Sequence, residues 1–303
     1  MENDNESNSG HEFVFEECCS QYIDQKIHTP LRDLNNFLEP FIVNNTDKTS
    51  DFNIIDQVKY KKYNIPNNKI QDYFNLLEQV RRKNIKNNGF CERQNGNTGI
   101  MIDYDVFQKE NKRILGDDEY YLIIQTVLNL LNKHLVDFEI KESLVLVIRK
   151  KNIEEKKDNV YKDGFHILFP GIKVNKSVKR KVLESLSEND IFAEHKYADV
   201  FVDRKTMVDT NSAYVPVLFV GNAKKGKEPY IMSHLFKITY NNFSRIDGKD
   251  ISIMDNPDFN VSQEFSLNYE KKDGFIKKHV FESKFNDLEE HNYDDEIIDN
   301  PHS

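Results

Sequence analysis

Three segments of the chain place apolar side chains every three to four residues, the spacing that predicts a helix with one buried face. The first covers residues 68–82 and ends before Asn87-Asn88-Gly89, with apolar positions at Ile70, Tyr73, Phe74, Leu77 and Val80. The second is predicted over 119–134 with Asp117 as its cap, and the third over 175–186. The outer face predicted for the third helix is basic, with Lys176, Lys179, Arg180 and Lys181.

Shorter apolar segments, several of them rich in β-branched residues, predict strands. They cover residues 99–105, 143–149, 161–169, 215–220 and 230–238. Pro170-Gly171 is expected to close the third strand, and a turn at 224–227 separates the last two. Strands and helices mix without a regular strand–helix–strand rhythm, which favours the α+β class. We therefore expect a mixed, mostly antiparallel central sheet flanked by helices.

Charge is unevenly distributed along the chain. Residues 1–25 hold seven acidic residues and no Lys or Arg, and residues 285–303 hold seven more, again without Lys or Arg. Without these fourteen acids, the formal net charge of −9 becomes +5 for the segment 26–284. A mildly basic body between acidic ends is compatible with a nucleic-acid channel, because binding depends on the local field and not on the total charge. We expect the first segment to be disordered and the last to be an acidic tail.

The sequence contains no membrane-spanning or disulfide pattern. No segment approaches the roughly 18 apolar residues that a spanning helix needs, and the acidic first 25 residues do not resemble a signal peptide. The three cysteines, Cys18, Cys19 and Cys91, form no CxxC pair, so neither a disulfide framework nor a cysteine zinc site is expected. We expect a cytoplasmic compartment without membrane contact.

Two carboxylates follow the apolar residues 100–102. Asp103 and Asp105 are two positions apart on the predicted strand, so both side chains lie on one face and Tyr104 lies on the other. Carboxylate oxygens beside an apolar strand suit Mg²⁺ or Mn²⁺, which keep open positions for phosphate oxygens. A lone pair of this spacing is more often a solvated loop. The apolar residues before it favour metal binding, because buried paired carboxylates without a cation are costly.

The strand predicted over 161–169 carries a second group of polar residues. By alternation, Lys162, Gly164 and His166 share one face. A cation, a bare backbone position and an imidazole in line suit the binding of a triphosphate. The competing interpretation of His166 is a satisfied core histidine.

Asp209 follows the apolar pair 207–208, and Lys224 follows the next predicted strand. The two residues could add a third metal ligand and a phosphate contact. Taken alone, they equally fit an ordinary Asx-type turn and a basic hairpin loop.

The order of these motifs resembles the archaeo-eukaryotic primase (AEP) superfamily, whose motifs are an apolar run ending in D-x-D, an S-x-H on a strand, and a third acid after an apolar residue. The resemblance is greatest to the primase domain of primase-helicases from large cytoplasmic DNA viruses of the African swine fever virus and poxvirus kind. It covers about residues 65–240. The matching stretches are FCERQ running into GIMIDYD, KDGFHILFPGIKV, and VDTNSAYVPVLFVGNAKKGKEPY.

The resemblance implies an AEP fold with an RRM-like catalytic part and a DNA primase or primase-polymerase activity. Such an enzyme makes primers from NTP or dNTP on a single-stranded DNA template by two-metal nucleotidyl transfer. By position, the metal ligands and catalytic acids are Asp103, Asp105 and Asp209, with two Mg²⁺ or Mn²⁺ ions. The implied nucleotide-binding residues are His166, Lys162, Gly164, Lys224 and Arg93.

The resemblance also implies partners and a location. A replicative helicase is expected in the same chain or another, at a viral replication site. No Walker A motif occurs in the sequence, so the helicase ATPase is not expected within it. The basic residues at 81–83, 176–181 and 224–227 could follow the template backbone. The implied organisation is an acidic segment 1–25, an N-terminal helical part 26–95, a catalytic core 96–284 and an acidic tail 285–303.

The chain departs from the family pattern at two places. Gly164 stands where many relatives have Ser, so a backbone N–H must replace that hydroxyl. No Arg precedes Gly221, which leaves more of the electrostatic load to Lys224 or Lys225.

Other interpretations remain open. A glycosyltransferase also uses a strand ending in D-x-D, but it would not need the Lys162–His166 strand or Asp209. A silent single-strand nucleic-acid-binding module, or an inactive structural domain, would tolerate loss of the acids.

Overall fold

The computed structural model describes residues 29–43, 51–85, 88–240, 242–245, 256 and 258–285. The acidic segment 1–25, and the acidic tail beyond residue 285, lie outside the described residues. The described helices are α1 (29–38), α2 (Ile70–Arg82), α3 (Asp117–His134), α4 (Lys176–Glu188) and α5 (Val261–Glu264). No helix among the described residues is both long and apolar enough to cross a membrane.

Twelve strands are described, and they form two sheets. In chain order they are β1 (Ile42–Val43), β2 (Ile54–Asp56), β3 (Lys61–Tyr63), β4 (Phe90–Glu92), β5 (Thr98–Gln108), β6 (Glu142–Lys150), β7 (Glu154–Glu155), β8 (Tyr161–Val174), β9 (Val217–Leu218), β10 (Tyr230–Thr239), β11 (Asn242–Arg245) and β12 (His279–Val280). The larger sheet runs β11-β10-β6-β8-β5, with β7 and β12 also pairing with β8. The smaller sheet runs β1-β3-β2-β4-β9.

The expected α+β class with a mostly antiparallel sheet is confirmed. Among the described strand pairs, all are antiparallel except β12 with β8. The predicted helices appear as α2, α3 and α4, close to their expected bounds. The cap of α3 was predicted wrongly: Gly116 is the cap, and its N–H donates to the Glu119 carboxylate at 2.8 Å. Asp117 is the first helical residue.

Pro170-Gly171 does not close β8, which continues to Val174. The register between β5 and β8 shifts between Thr98 and Ile100, opposite this dipeptide. Because Pro170 has no N–H to donate to a ladder, a bulge is where a strand tolerates it. Within the shifted segment, Ile172 and Lys173 of β8 pair with β12, and β8 pairs with β5 again at Val174.

The predicted strand 215–220 is only two residues long, as β9. It pairs with β4 and so completes the smaller sheet from a distant part of the chain. The segment 26–95, expected to be helical, contains α1 and α2 and also the four strands β1–β4. Its core includes Leu34, Tyr73, Phe74, Phe90 and, from the later chain, Phe219.

The two faces of the larger sheet differ. One face packs against α3 and α4 in the largest apolar cluster, which includes Ile102, Tyr104, Ile124, Phe165 and Val182. A second cluster covers part of the opposite face, with Met101, Ile148, Leu168, Leu235 and Phe259. Beside this second cluster the polar residues of β5 and β8 are partly open to solvent.

Candidate active site

The polar residues of β5 and β8 lie on one face because the two strands pair antiparallel in a fixed register. Asp103 lies directly opposite His166, and Asp105 lies opposite Gly164. Two positions further along, Lys162 is paired with Phe107. Residues directly opposite each other in an antiparallel pair project on the same side. The predicted shared face of the two carboxylates and the predicted shared face of Lys162 and His166 are therefore both present, and the strand pairing puts them on the same side of the sheet.

Each carboxylate of β5 has a basic side chain beside it. Lys162 Nζ lies 2.7 Å from Asp105 Oδ2, and His166 Nε2 lies 3.4 Å from Asp103 Oδ1. His166 is nearly buried, while the other three side chains remain 22–29% exposed. The pairs are therefore reachable by a ligand from solvent.

Asp209 is tied to β5 through the backbone. Its N–H donates to the Asp103 carbonyl at 3.0 Å, and the Asp105 N–H donates to the Met207 carbonyl at 2.7 Å. The Asp209 carboxylate accepts from the Asn211 N–H at 2.9 Å and so caps the short turn Thr210–Ala213. The Asx-type turn is therefore present, and the backbone bonds to β5 also place Asp209 beside Asp103.

The electrostatics of the three acids differ. The pKa of Asp209 is raised, first by burial and then by repulsion from Asp103 and Asp105. Burial also acts to raise the pKa of Asp103, but its basic neighbours, with His166 foremost, outweigh burial and lower it. Crowded carboxylates of this kind bind a cation favourably, because the cation relieves their repulsion.

Lys224 and Arg93 lie in different surroundings. Lys224 is exposed in the turn after β9, and its charge acts to lower the pKa of both Asp103 and Asp209, so it belongs to the site. Arg93 follows β4, where its guanidinium lies 4.4 Å from the centre of the Phe52 ring and 3.8 Å from the Asp51 carboxylate. These contacts anchor Arg93 to the smaller sheet.

Tyr230 is a site residue that the sequence analysis missed. Its ring stacks on His166 with centroids 4.0 Å apart and planes at 25°. Lys150 Nζ lies 5.5 Å from the centre of the same ring. Burial raises the pKa of Tyr230, and the negative charges of Asp103 and Asp105 raise it further, so the phenol stays neutral. The sequence offered one indication of this role: Tyr230 is the first residue of the strand that follows the basic turn 224–227.

Gly164 provides a close approach. A Cβ at this position would lie 3.3 Å from Asp105 Oδ1 and 3.6 Å from the Tyr230 hydroxyl. A side chain here would therefore crowd the carboxylate and the ring. The glycine keeps the space above the strand open.

Lys179 does not lie on an outer basic face, contrary to the prediction. It is buried, and its Nζ donates to Gln94 Oε1 at 2.7 Å and to Thr98 Oγ1. Gln94 Nε2 in turn donates to the Ser212 carbonyl at 3.0 Å, within the turn that Asp209 begins. Lys179 therefore braces the turn that carries the third acid.

Arg81 and Arg82 are also engaged in contacts within the chain. The Glu78 carboxylate accepts from Arg81 at 2.9 Å and from Arg82 at 3.1 Å. Arg82 also donates to the Asn256 and Phe259 carbonyls, both at 2.9 Å. These arginines hold α2 against the segment around α5 and are poor candidates for a template path.

The donor chemistry of the site fits a hard divalent cation, although the side chains are not gathered around one point. Within the described ranges, no three His, Cys, Asp or Glu side chains form a ready metal cluster. Lys162 instead neutralises Asp105. Asp103 Oδ1 is buried, and its neighbour His166 Nε2, 3.4 Å away, makes no well-formed hydrogen bond to it. Asp103, Asp105 and Asp209 are the residues that would hold the cation.

The chain belongs to the family described as the C962R protein N-terminal AEP domain, whose model matches residues 53–236, more than half of the chain. This span contains β5, β8, Asp209 and Lys224, the parts from which the site is built. The predicted AEP resemblance is confirmed.

The curated relatives come from African swine fever virus and carry the name "Putative primase C962R". The protein of isolate Pig/Kenya/KEN-50/1950 is 29% identical over 193 residues, which is 62% of this chain and 19% of the relative. The protein of isolate Tick/Malawi/Lil 20-1/1983 is 28% identical over 235 residues, which is 76% of this chain and 23% of the relative. The chain thus matches about a fifth of the length of these relatives.

Proposed function

We propose that this chain is a DNA primase or primase-polymerase domain that joins nucleotides on a single-stranded DNA template. The observation that carries the proposal is the shared face of β5 and β8, where Asp103, Asp105, Lys162 and His166 lie together and Asp209 is tied to them. Acids and cations on one surface suit nucleotidyl transfer. The name of the viral relatives supports the same reaction class.

The carboxylates hold the metal in this proposal. Two divalent ions, Mg²⁺ or Mn²⁺, bound by Asp103, Asp105 and Asp209, would activate the attacking 3′-hydroxyl and neutralise the leaving pyrophosphate. The raised pKa of Asp209 supports this assignment, because the repulsion from Asp103 and Asp105 that contributes to it is relieved by an added cation.

The basic residues bind the triphosphate. Lys162 and His166 would exchange their carboxylate partners for phosphate oxygens and hold the α-phosphorus in line with the attacking hydroxyl. Lys224 adds positive charge from the opposite loop. The Gly164 backbone lets the phosphates approach the strand, and Tyr230 fixes the plane of the His166 ring.

The test is primer synthesis by the full chain on single-stranded DNA with labelled NTP or dNTP and Mg²⁺ or Mn²⁺. The double variant Asp103→Asn/Asp105→Asn should lose synthesis while keeping the wild-type circular dichroism and Tm. The matched control removes two exposed acids elsewhere, Asp72→Asn/Asp199→Asn, and should stay active.

Each outcome has a clear meaning. Full activity of the Asp103/Asp105 variant, or no synthesis by the wild type with any nucleotide, would overturn the proposal. DNA binding without synthesis by the wild type would favour the single-strand-binding module. Hydrolysis or transfer of a nucleotide sugar would favour the glycosyltransferase.

A further inference from the structure

An exposed tyrosine occupies the turn between β2 and β3 in an unfavourable backbone conformation. Tyr60 is 59% exposed and has a φ of 56°. This left-handed region favours Gly or Asn, because a bulky side chain there clashes with the backbone. Stability alone would not place an aromatic residue at this position. Strained residues of this kind are found disproportionately at binding sites.

The surroundings of Tyr60 are basic. Lys59 and Lys61 flank it in the chain, and both are exposed. Lys225 Nζ, from the turn after β9, lies 5.8 Å from the centre of the Tyr60 ring. The nearest acid in the chain, Asp56, is buried and its carboxylate accepts from the backbone N–H groups of the turn. Lys59 Nζ donates to Asn35 Oδ1 at 2.5 Å in an exposed position, and Lys61 and Lys225 present their charges to solvent.

The turn is physically connected to the candidate active site. Residues 88–89 join it to the basic turn: the Gln57 N–H donates to the Gly89 carbonyl, and the Ala223 N–H donates to the Asn88 carbonyl, both at 3.0 Å. A Cβ on Gly89 would lie 2.9 Å from both the Ala223 carbonyl oxygen and Val58, so the two turns are closely packed. The charge of Lys224, next to Lys225, acts to lower the pKa of Asp103.

We propose that the β2–β3 turn and the turn 224–227 form a binding surface for the single-stranded DNA template. Tyr60 stacks a base, and Lys59, Lys61 and Lys225 contact the phosphates. This inference deepens the proposed function and rests on it. Single-strand binding sites commonly combine such basic grooves with stacking aromatics, and each kind of contact has its own signature: stacking is insensitive to salt, while phosphate contacts release counterions.

The decisive variant is Tyr60→Asn, because Asn tolerates the left-handed conformation and lacks a large ring. The Kd of a fluorescent oligo(dT), measured without nucleotide or divalent ion, should rise about tenfold. The Tm should stay equal or rise, because the strain is relieved. The slope of log Kd against log salt should not change.

The chain offers a matched control. Tyr240 is 62% exposed with a φ of 48°, and it follows the end of β10 opposite to Tyr230, roughly 30 Å away along the strand. Tyr240→Asn makes the same chemical change in the same backbone conformation and should leave the Kd unchanged. In contrast, Lys225→Gln should weaken binding and reduce the salt slope by about one contact.

The outcomes separate this inference from the proposed function. If the wild type makes primers and Tyr60→Asn binds oligo(dT) as well as the wild type, the surface is wrong and the function stands. If binding depends on Tyr60 but no primer is ever made, the surface stands and the function fails. Equal weakening by Tyr240→Asn, or no binding by the wild type, also overturns the surface. Oligo(rU) and duplex DNA, measured in parallel, should bind less tightly than oligo(dT), and a preference for either would overturn a DNA-template role.

Discussion

Two ion pairs that involve neighbouring residues of β8 differ in their exposure to solvent. Asp163 pairs with Arg149 on the face covered by α3, where both side chains are at least 93% buried. Lys162 pairs with Asp105 on the other face, where both remain more than a fifth exposed. The pairs are one residue apart in sequence, yet the pleat of the strand sends one inward and the other toward solvent.

The difference teaches which pair can change partner. Arg149 cannot lose its charge, and burial keeps solvent from taking the place of Asp163. The pair therefore does not exchange partners. Lys162 and Asp105 can each exchange the other for a ligand of opposite charge, because solvent reaches both. The buried pair Asp163–Arg149 stabilises the sheet. The exposed pair Lys162–Asp105 keeps two charged side chains in place that a ligand can recruit.

The largest expected effect is on catalysis by the open pair. Asp105→Asn should lower primer synthesis at least about a thousandfold, roughly 4 kcal/mol, because a metal ligand is lost. The urea midpoint should stay near that of the wild type, because the exposed pair contributes little to stability. Primer yield measures the loss of synthesis, and urea denaturation of the same preparation measures the stability. A large loss of stability would mean that the open pair is structural.

The buried pair should give the reverse result. Asp163→Asn leaves Arg149 buried without its anionic partner and should lower the free energy of unfolding by about 3 kcal/mol. At a temperature where the variant is folded, primer synthesis should remain within a few-fold of wild type. Thermal denaturation followed by activity at low temperature is the measurement. Inactivation of a demonstrably folded variant would contradict the division between the two faces.

Lys162 should affect nucleotide binding more than stability. Lys162→Gln keeps a polar side chain but removes the charge that pairs with Asp105, so the KM for the nucleotide should rise by about ten- to a hundredfold. Steady-state kinetics at saturating template give KM and kcat separately. A pure loss of kcat with unchanged KM would place Lys162 elsewhere in the reaction.

The last expected effect is a pH dependence of stability from Lys179, which braces the turn behind the site. Burial lowers the pKa of Lys179 to about 7 in the folded chain, below its usual value in the unfolded chain. Between these two values the unfolded state binds more protons, so the free energy of unfolding should rise with pH above about 7. Urea midpoints at several pH values should show a steeper rise in wild type than in Lys179→Met. Equal slopes would exclude Lys179 as the titrating group.

The sequence predicted the parts of the molecule that depend on local periodicity. The bounds of β6 and α3, and the shared face of Asp103 and Asp105, follow from spacings of two and of three to four residues. The pairing of His166 with Asp103 was not predicted, because the register between β5 and β8 joins distant parts of the chain.

Features that depend on distant contacts were not predictable. Tyr230 reaches His166 only because β10 pairs with β6 beside β8. Lys179 points inward because Gln94 and Thr98 supply oxygens for its ammonium group. The sequence of its own helix does not indicate these distant partners. A lysine on an amphipathic helix is normally a surface residue, so the periodic pattern favoured the wrong face.

The pairing of β9 with β4 bears on how the chain is made. During synthesis, the first ninety-odd residues leave the ribosome without the strand that completes their sheet, because β9 is Val217–Leu218. The hydrogen-bond donors of the buried Glu92 include the Ser266 hydroxyl and the Leu267 N–H, which are likewise translated later. N-terminal domains usually fold first as the chain emerges. Here the smaller sheet can be completed only after β5 and β8 have been translated. The two sheets are therefore expected to complete their folding at the same stage.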